Sequence, residues 1–178
     1  LLPKTVIFDA VGYGCTSASS IIGTKRVTEL VGTVCETKAV TNPVSALVSA
    51  CEALGISKLA LLTPYTEAVS ESLRLALSAH GIDTPVFGTF NEPVETKVAR
   101  IDPTSVRDAA IELAQDKGAD AVFMSCTNLR TFSILKDVEN AIGKPALSSN
   151  QAFFWHMLGL AGTTSARRDG MLWDKSVN

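Results

Sequence analysis

Short β-rich apolar runs alternate with longer helical patterns along this chain, and that alternation leaves few folds open. Val6–Val11 reads as a buried strand, and Ser17–Val31 as a helix interrupted near Gly23. Asn42 stands before Pro43, an N-cap followed by a proline at the first helical position. Gly55 then closes the helix Pro43–Leu54. Leu59–Thr63 is the next strand, and Thr66–His80 a helix whose Val69, Leu73, Ala76 and Leu77 fall at helical spacing. Pro85–Phe90 is a third strand, followed by the polar loop Asn91–Asp102 and the helix Pro103–Lys117. Ala121–Met124 and Pro145–Ser148 read as strands, with helices Phe132–Ile142 and Asn150–Ala161 after them. Strands separated by helices of this length imply parallel sheets with right-handed crossovers, an α/β fold. In such sheets ligands bind beyond the carboxyl ends of the strands. Cys15, Pro64-Tyr65, Cys126 and Ser149-Asn150 all fall at that edge.

A chain of 178 residues, 46% hydrophobic, can bury a sizeable core as one domain or two small lobes. Its formal net charge is −2, and Lys25-Arg26 and Arg167-Arg168 are isolated basic pairs of the kind found on solvated surfaces, which argues against nucleic acid as a partner. No apolar stretch approaches the ~20 residues of a membrane span. The residues Leu1-Leu2-Pro3-Lys4 lack the regions of a signal peptide. The four cysteines form no Cys-x-x-Cys pair and lie far from both histidines, so a structural zinc site is not expected. Reduced thiols and a cytoplasmic location are the corresponding expectations.

Two of these cysteines sit in matching contexts. Gly14-Cys15-Thr16-Ser17 and Ser125-Cys126-Thr127-Asn128 each follow an apolar run and place hydroxyl or amide side chains directly after the sulfur. Two thiols opposed across a cleft can act on both faces of one carbon, which is what racemisation or cis–trans isomerisation needs when no cofactor takes part. An ordinary thiol is only a few per cent ionised at neutral pH, with a pKa near ~8.5. A helix start after each cysteine is expected to lower that value and to supply N–H donors for a carboxylate. Thr16, Ser17, Thr127 and Asn128 add side-chain donors. Tyr65 and Asn150 are rim residues within reach of a ligand, although a tyrosine capping a sheet and an asparagine capping a helix need no other role. Cys51, flanked by Ala50 and Ala53, reads as core, Cys35 carries no partner signal, and Arg130 is as well explained by a surface position. His156, among Phe153, Phe154, Trp155 and Met157, reads as a satisfied core or interface histidine, and the apolar run Phe153-Phe154-Trp155 points to a homo-oligomer.

Four segments in register carry a family resemblance across nearly the whole chain. Tyr13–Ser19, Leu62–Tyr65, Ser125–Thr131 and Lys144–Ala152 resemble the aspartate/glutamate racemase superfamily, closest to its branch of maleate cis–trans isomerases, arylmalonate decarboxylases and ectoine-utilisation proteins. The resemblance implies two pseudo-symmetric lobes with small parallel sheets flanked by helices and an active site in the cleft between them. It assigns 1–56 plus 148–178 to the first lobe and 57–147 to the second. It implies Cys15 and Cys126 as the catalytic pair, Tyr65, Thr16, Ser17, Thr127, Asn128 and Asn150 around the substrate, no cofactor and no metal, and a small carboxylic acid or amino-acid derivative as substrate. Racemisation and covalent maleate isomerisation both stay open, as does a non-catalytic ligand-binding role in a catabolic pathway. The decarboxylase branch keeps only the second thiol, so Cys15 argues against that reaction. Family members begin with a further strand and a loop carrying a substrate-binding asparagine, so an N-terminal segment is expected to be missing from this sequence. Glu92 and Glu95 flank Asn91, and acidic residues are unexpected partners for a dicarboxylate, which weighs against maleate.

Overall fold

In the strands of the main sheet, odd and even residues face opposite ways, and both faces are apolar. That pattern requires helices on both sides. A computed structural model describes residues 2–164 and 170–177, so the Arg167-Arg168 pair lies outside the described residues. The early elements are β1 (Ile7–Phe8), β2 (Val11–Gly12), α1 (Thr16–Ile22), α2 (Thr24–Gly32), β3 (Glu36–Thr37), β4 (Val40–Thr41) and α3 (Pro43–Leu54). The remainder are β5 (Lys58–Thr63), α4 (Glu67–Ser78), β6 (Asp83–Thr89), α5 (Glu95–Val98), α6 (Pro103–Ala114), β7 (Ala121–Met124), α7 (Leu135–Ile142), β8 (Ala146–Ser148) and α8 (Ser149–Leu160). A 3-10 turn follows at Met171–Asp174.

The main sheet is parallel throughout, in the order β6-β5-β7-β8. Leu59, Leu61, Phe123 and Leu147 point to one face and pack with Leu47 of α3, Leu73 and Leu77 of α4, and Ala152 and Trp155 of α8. Ala60, Leu62, Val122, Met124 and Ala146 point to the other and meet Val106 and Ala110 of α6 and Leu135 and Val138 of α7. The expected α/β fold with small parallel sheets and flanking helices is what the chain adopts.

The caps explain where helices begin. Asn42 Oδ1 accepts from Val44 N and Ser45 N, each at 3.1 Å, ahead of Pro43, and Gly55 takes the left-handed conformation that ends α3. Asp102 accepts from Thr104 N at 2.8 Å at the start of α6. The helix expected over 17–31 is two helices, because Gly23, at φ 88°, turns the chain between them.

Four expectations need correction. Val6–Val11 is not one buried strand but half of a thin parallel ribbon, β1 with β3 and β2 with β4. Ile7 is 62% exposed, because the ribbon has only two strands and no helix covers that side chain. Its second strand, around Glu36–Thr41, was hidden by polar composition. The long loop after β6 contains the short α5. The helix expected from Phe132 starts at Leu135, and α8 starts at Ser149 with Ser148, not Asn150, as its cap. Ser148 Oγ accepts from Gln151 N at 3.2 Å.

α8 also closes the space under the ribbon. A methyl group on Gly12 would meet the ring of Phe153 at 2.4 Å, so only glycine allows this approach. His156, further along α8, is buried with Thr41 Oγ1 at 2.7 Å from Nδ1 and Ser49 Oγ at 3.3 Å from Nε2. Its ring therefore serves the core, as the sequence reading favoured. Trp155 is buried with its Nε1 donating to Lys175 O at 3.0 Å, while Phe154 stands exposed against Trp173.

Burial lowers the His156 pKa below its ordinary value. The unfolded chain binds a proton below about pH 6.5 that the folded protein resists, so stability is lost as the pH falls through that region. Urea denaturation at pH 7.5 and 5.5 is expected to show this loss in the parent chain and a smaller one in His156→Gln.

Candidate active site

The carboxyl ends of β2, β5, β7 and β8 bring four short segments together. β7 ends at Met124, and Ser125 N donates to Leu62 O at 2.8 Å, which carries the β5–β7 register one step beyond the strand. The next residue, Cys126, has φ 112°, a region that favours glycine and costs a side-chain-bearing residue about 1–3 kcal/mol. Its neighbours hold it there. Cys126 N donates to Ser149 Oγ at 3.0 Å, Leu129 N to Cys126 O at 3.3 Å, and Asn128 N to Cys126 Sγ at 3.4 Å. Asn150 Nδ2 donates to Thr127 O at 3.0 Å and Leu129 O at 3.1 Å, so this side chain underpins the cysteine loop from below.

Cys15 is the residue before α1, half-buried, with Sγ 3.7 Å from Ser17 Oγ. Its carbonyl accepts from Ser19 N and Ser19 Oγ. Two hydrogen bonds join its loop to that of Cys126. Thr127 Oγ1 donates to Gly14 O at 2.9 Å. Thr16 Oγ1 donates to Ser149 Oγ at 3.0 Å, the same oxygen that receives Cys126 N. Thr16 and Thr127 thus use their hydroxyl protons within the protein. Ser17 and Asn128 keep side chains at the rim, and Asn128 Nδ2 donates to Glu95 Oε1. Arg130 is exposed and donates to Ile101 O at 3.4 Å.

Tyr65, only 7% exposed, faces Cys126, Ser125 and Thr16. Burial first, then the adjacent Cys126, push its pKa above the ordinary phenol value, so it is a proton donor across the whole neutral range. Thr89 Oγ1, at the end of β6, donates to Tyr65 O and accepts from Asn91 N at 2.9 Å, which ties the loop leading to Glu95 onto the same rim.

Cys126 departs from the sequence-based expectation for its acidity. No helix starts directly after it, since the chain turns through 127–134 before α7. With Cys126 5% exposed, burial raises its thiol pKa more than Tyr65 and Asn128 N lower it, and Glu95 raises it further. The thiol is therefore protonated at neutral pH. Cys51 lies inside α3, where burial and then Glu52 push it up to about 12, and Cys35 is buried with Sγ donating to Val31 O at 3.7 Å.

Two contributors were in view in the sequence, but their parts in the site were not. Ser149 was visible only as part of a polar run after β8, and nothing local marked it as the shared acceptor. Glu95 arrives from the β6–α5 loop, 31 residues before Cys126, and no short-range spacing links the two. Among the described residues no cluster of histidine, cysteine, aspartate and glutamate is placed to hold a metal ion, and no helix is long and apolar enough to cross a membrane.

A family model described as arylmalonate decarboxylase matches residues 8–172. The chain is 31% identical to arylmalonate decarboxylase of Bordetella bronchiseptica over 137 residues, 74% of this chain and 56% of that protein. It is 26% identical to maleate isomerase of Geobacillus stearothermophilus over 123 residues, 67% of this chain and 47% of that protein. The chain therefore spans about half the length of the curated relatives it matches. A mutant arylmalonate decarboxylase solved in a liganded form superposes with a TM-score of 0.83 at 26% identity, covering 93% of this chain and 73% of that one.

Removing the shared acceptor isolates its importance. Ser149→Ala leaves a buried hydroxyl and a buried N–H unpaired at one point, and a loss of about 2–4 kcal/mol is expected in urea denaturation. Alkylation of Cys126 should become faster in the same variant, while Cys51 stays unlabelled in both proteins.

Proposed function

The chain belongs to the arylmalonate decarboxylase family, in the branch it shares with maleate isomerases, and from that premise we propose that it is a cofactor-independent isomerase or racemase of small carboxylic acids or amino-acid derivatives. Cys15 and Cys126 are its catalytic pair. One observation carries the reading: Ser149 Oγ and the Thr127–Gly14 bond hold the two cysteine loops against each other from opposite ends of the sequence.

In this reading the substrate's acidic carbon sits between the sulfurs. The Cys15 thiolate removes the α-proton, so a C–H bond breaks and an S–H bond forms. The electron pair moves into the substrate carboxyl group as an enediolate. Cys126, held protonated by burial, then gives its proton to the opposite face, so an S–H bond breaks and a C–H bond forms. In the reverse direction the two exchange roles. Tyr65 donates a hydrogen bond where negative charge develops, the preorganised stabilisation that commonly contributes most to such a barrier. Ser17 and Asn128 contact the carboxylate. Thr16, Thr127 and Asn150 position the loops that present the sulfurs.

A decarboxylase reading draws on the family description and the 31% identity. The first thiol argues for isomerisation instead, since a decarboxylase that protonates a single face has one acid to place and no need of a second.

Cys15→Ser and Cys126→Ser are each expected to lower turnover by orders of magnitude on a racemisable carboxylic acid, with circular dichroism unchanged. Near-normal activity in both single variants would overturn the pair. A succinyl adduct on Cys15 after incubation with maleate would reassign the reaction as cis–trans isomerisation by covalent addition. Because burial raises the Cys126 thiol above its ordinary value, the alkaline limb of the profile, in the direction Cys126 protonates, should lie above the ordinary thiol range. The pH–rate profile of kcat reads this directly.

A further inference from the structure

The carboxylate of Glu95 is brought to the Cys126 loop from a distant segment of the chain. It reaches there by a built route. Thr89 and Asn91 fasten the end of β6 to the Tyr65 carbonyl. Glu92 Oε1 accepts from Val94 N at 2.9 Å and shapes the next turn. Val98, fully buried, pins the far end of α5. Glu95 projects between these anchors, and its Oε1 accepts from Asn128 Nδ2. The main-chain N–H of the same Asn128 donates to Cys126 Sγ at 3.4 Å. One amide residue therefore links the carboxylate to the sulfur. The negative charge of Glu95 is also felt at that sulfur.

A site that handles a carbon acid must hold one carboxylate of the substrate. A second carboxylate near Cys126 would face Glu95 across a short gap, with no arginine or lysine of the described rim to offset it apart from Arg130, which is turned to Ile101 O. Two like charges there are unfavourable, and a positive group in the same place is favoured.

We infer that Glu95 is a specificity-determining residue, selecting small monocarboxylates that carry an ammonium or other hydrogen-bond-donating group and rejecting dicarboxylates. The inference rests on the site proposed above. It makes an amino acid, or a derivative that keeps its amine, the substrate class, and it gives the rim a recognition role separate from the proton transfers. Glu95 touches the substrate's second substituent, and the two sulfurs act at its acidic carbon.

Glycine and malonate form a matched pair of probes, since each has one carboxylate on a methylene that carries either an ammonium or a second carboxylate. Their protection of Cys15 against iodoacetamide, followed by mass spectrometry, measures binding without turnover. The parent chain should be protected better by glycine. In Glu95→Gln, which keeps an acceptor for Asn128, the ratio of the two protection constants should move toward malonate by about tenfold, the combined scale of one lost attraction and one lost repulsion at an exposed charge. Glu92→Gln, whose carboxylate is turned to Val94 N, should leave the ratio where it was. An unchanged ratio in Glu95→Gln, or malonate preferred by the parent chain, overturns the inference, and so does absence of protection by either probe. The proposed reaction fails separately: a shifted ratio together with full turnover in Cys15→Ser would keep the selectivity and discard the mechanism. Lost turnover with an unshifted ratio would do the opposite.

Discussion

A single hydroxyl oxygen holds the candidate site together. Ser149 Oγ receives the Thr16 hydroxyl and the Cys126 main-chain N–H at once, at 3.0 Å each. Ser149 is the first residue of α8, directly after β8, so its place is fixed by both the sheet and a buried helix. The Cys15 side of the rim comes from a thin, partly exposed ribbon, whereas the Cys126 side comes from the centre of a well-packed sheet. The ribbon has little core of its own to orient it. It gains its position by being tied to the stronger element, and Phe153 and Met157 of α8 filling the space left by Gly12 complete the attachment.

The parts of the fold that could be read from sequence were those decided locally. Asn42-Pro43 and Asp102-Pro103 marked helix starts because their side chains do the capping themselves. Gly55 marked a helix end because it takes a left-handed turn. Leu59–Thr63 and Ala121–Met124 were visible because strands covered on both faces are apolar throughout. What escaped was set at long range. The Glu36–Thr41 strand has polar side chains and exists through main-chain pairing with 7–12. Ser148 capped α8 where Asn150 had seemed the natural residue, since the helix begins at Ser149, one residue before the expected start, directly off the end of β8. Of the candidate site, the two cysteine loops and Tyr65 could be picked out from their matching contexts. Their mutual bonds, spanning 113 and 133 residues, could not.

The sulfurs also show how local analogy misleads about electrostatics. Matching tetrapeptides suggested matching acidities from matching helix starts. Only Cys15 leads straight into a helix, while the chain after Cys126 wanders through 127–134 first. Burial then dominates at Cys126, supported by a nearby carboxylate, and the result is a thiol that keeps its proton. Two similar sequences have become two chemically unlike groups, one half-open to solvent and one enclosed. That asymmetry suits a site in which one face of a carbon is treated differently from the other.

A cysteine side chain has a single heavy-atom torsion with three staggered wells, so the backbone that carries it limits its sulfur to three directions. At residue 126 that backbone is bent into a shape in which only glycine would sit without cost. The main chain here works as an aiming device: the unusual φ, held by Ser149 and Asn150, sets which three directions are open to the sulfur. Any change that let this bend relax would leave the residue in place and swing its sulfur out of line.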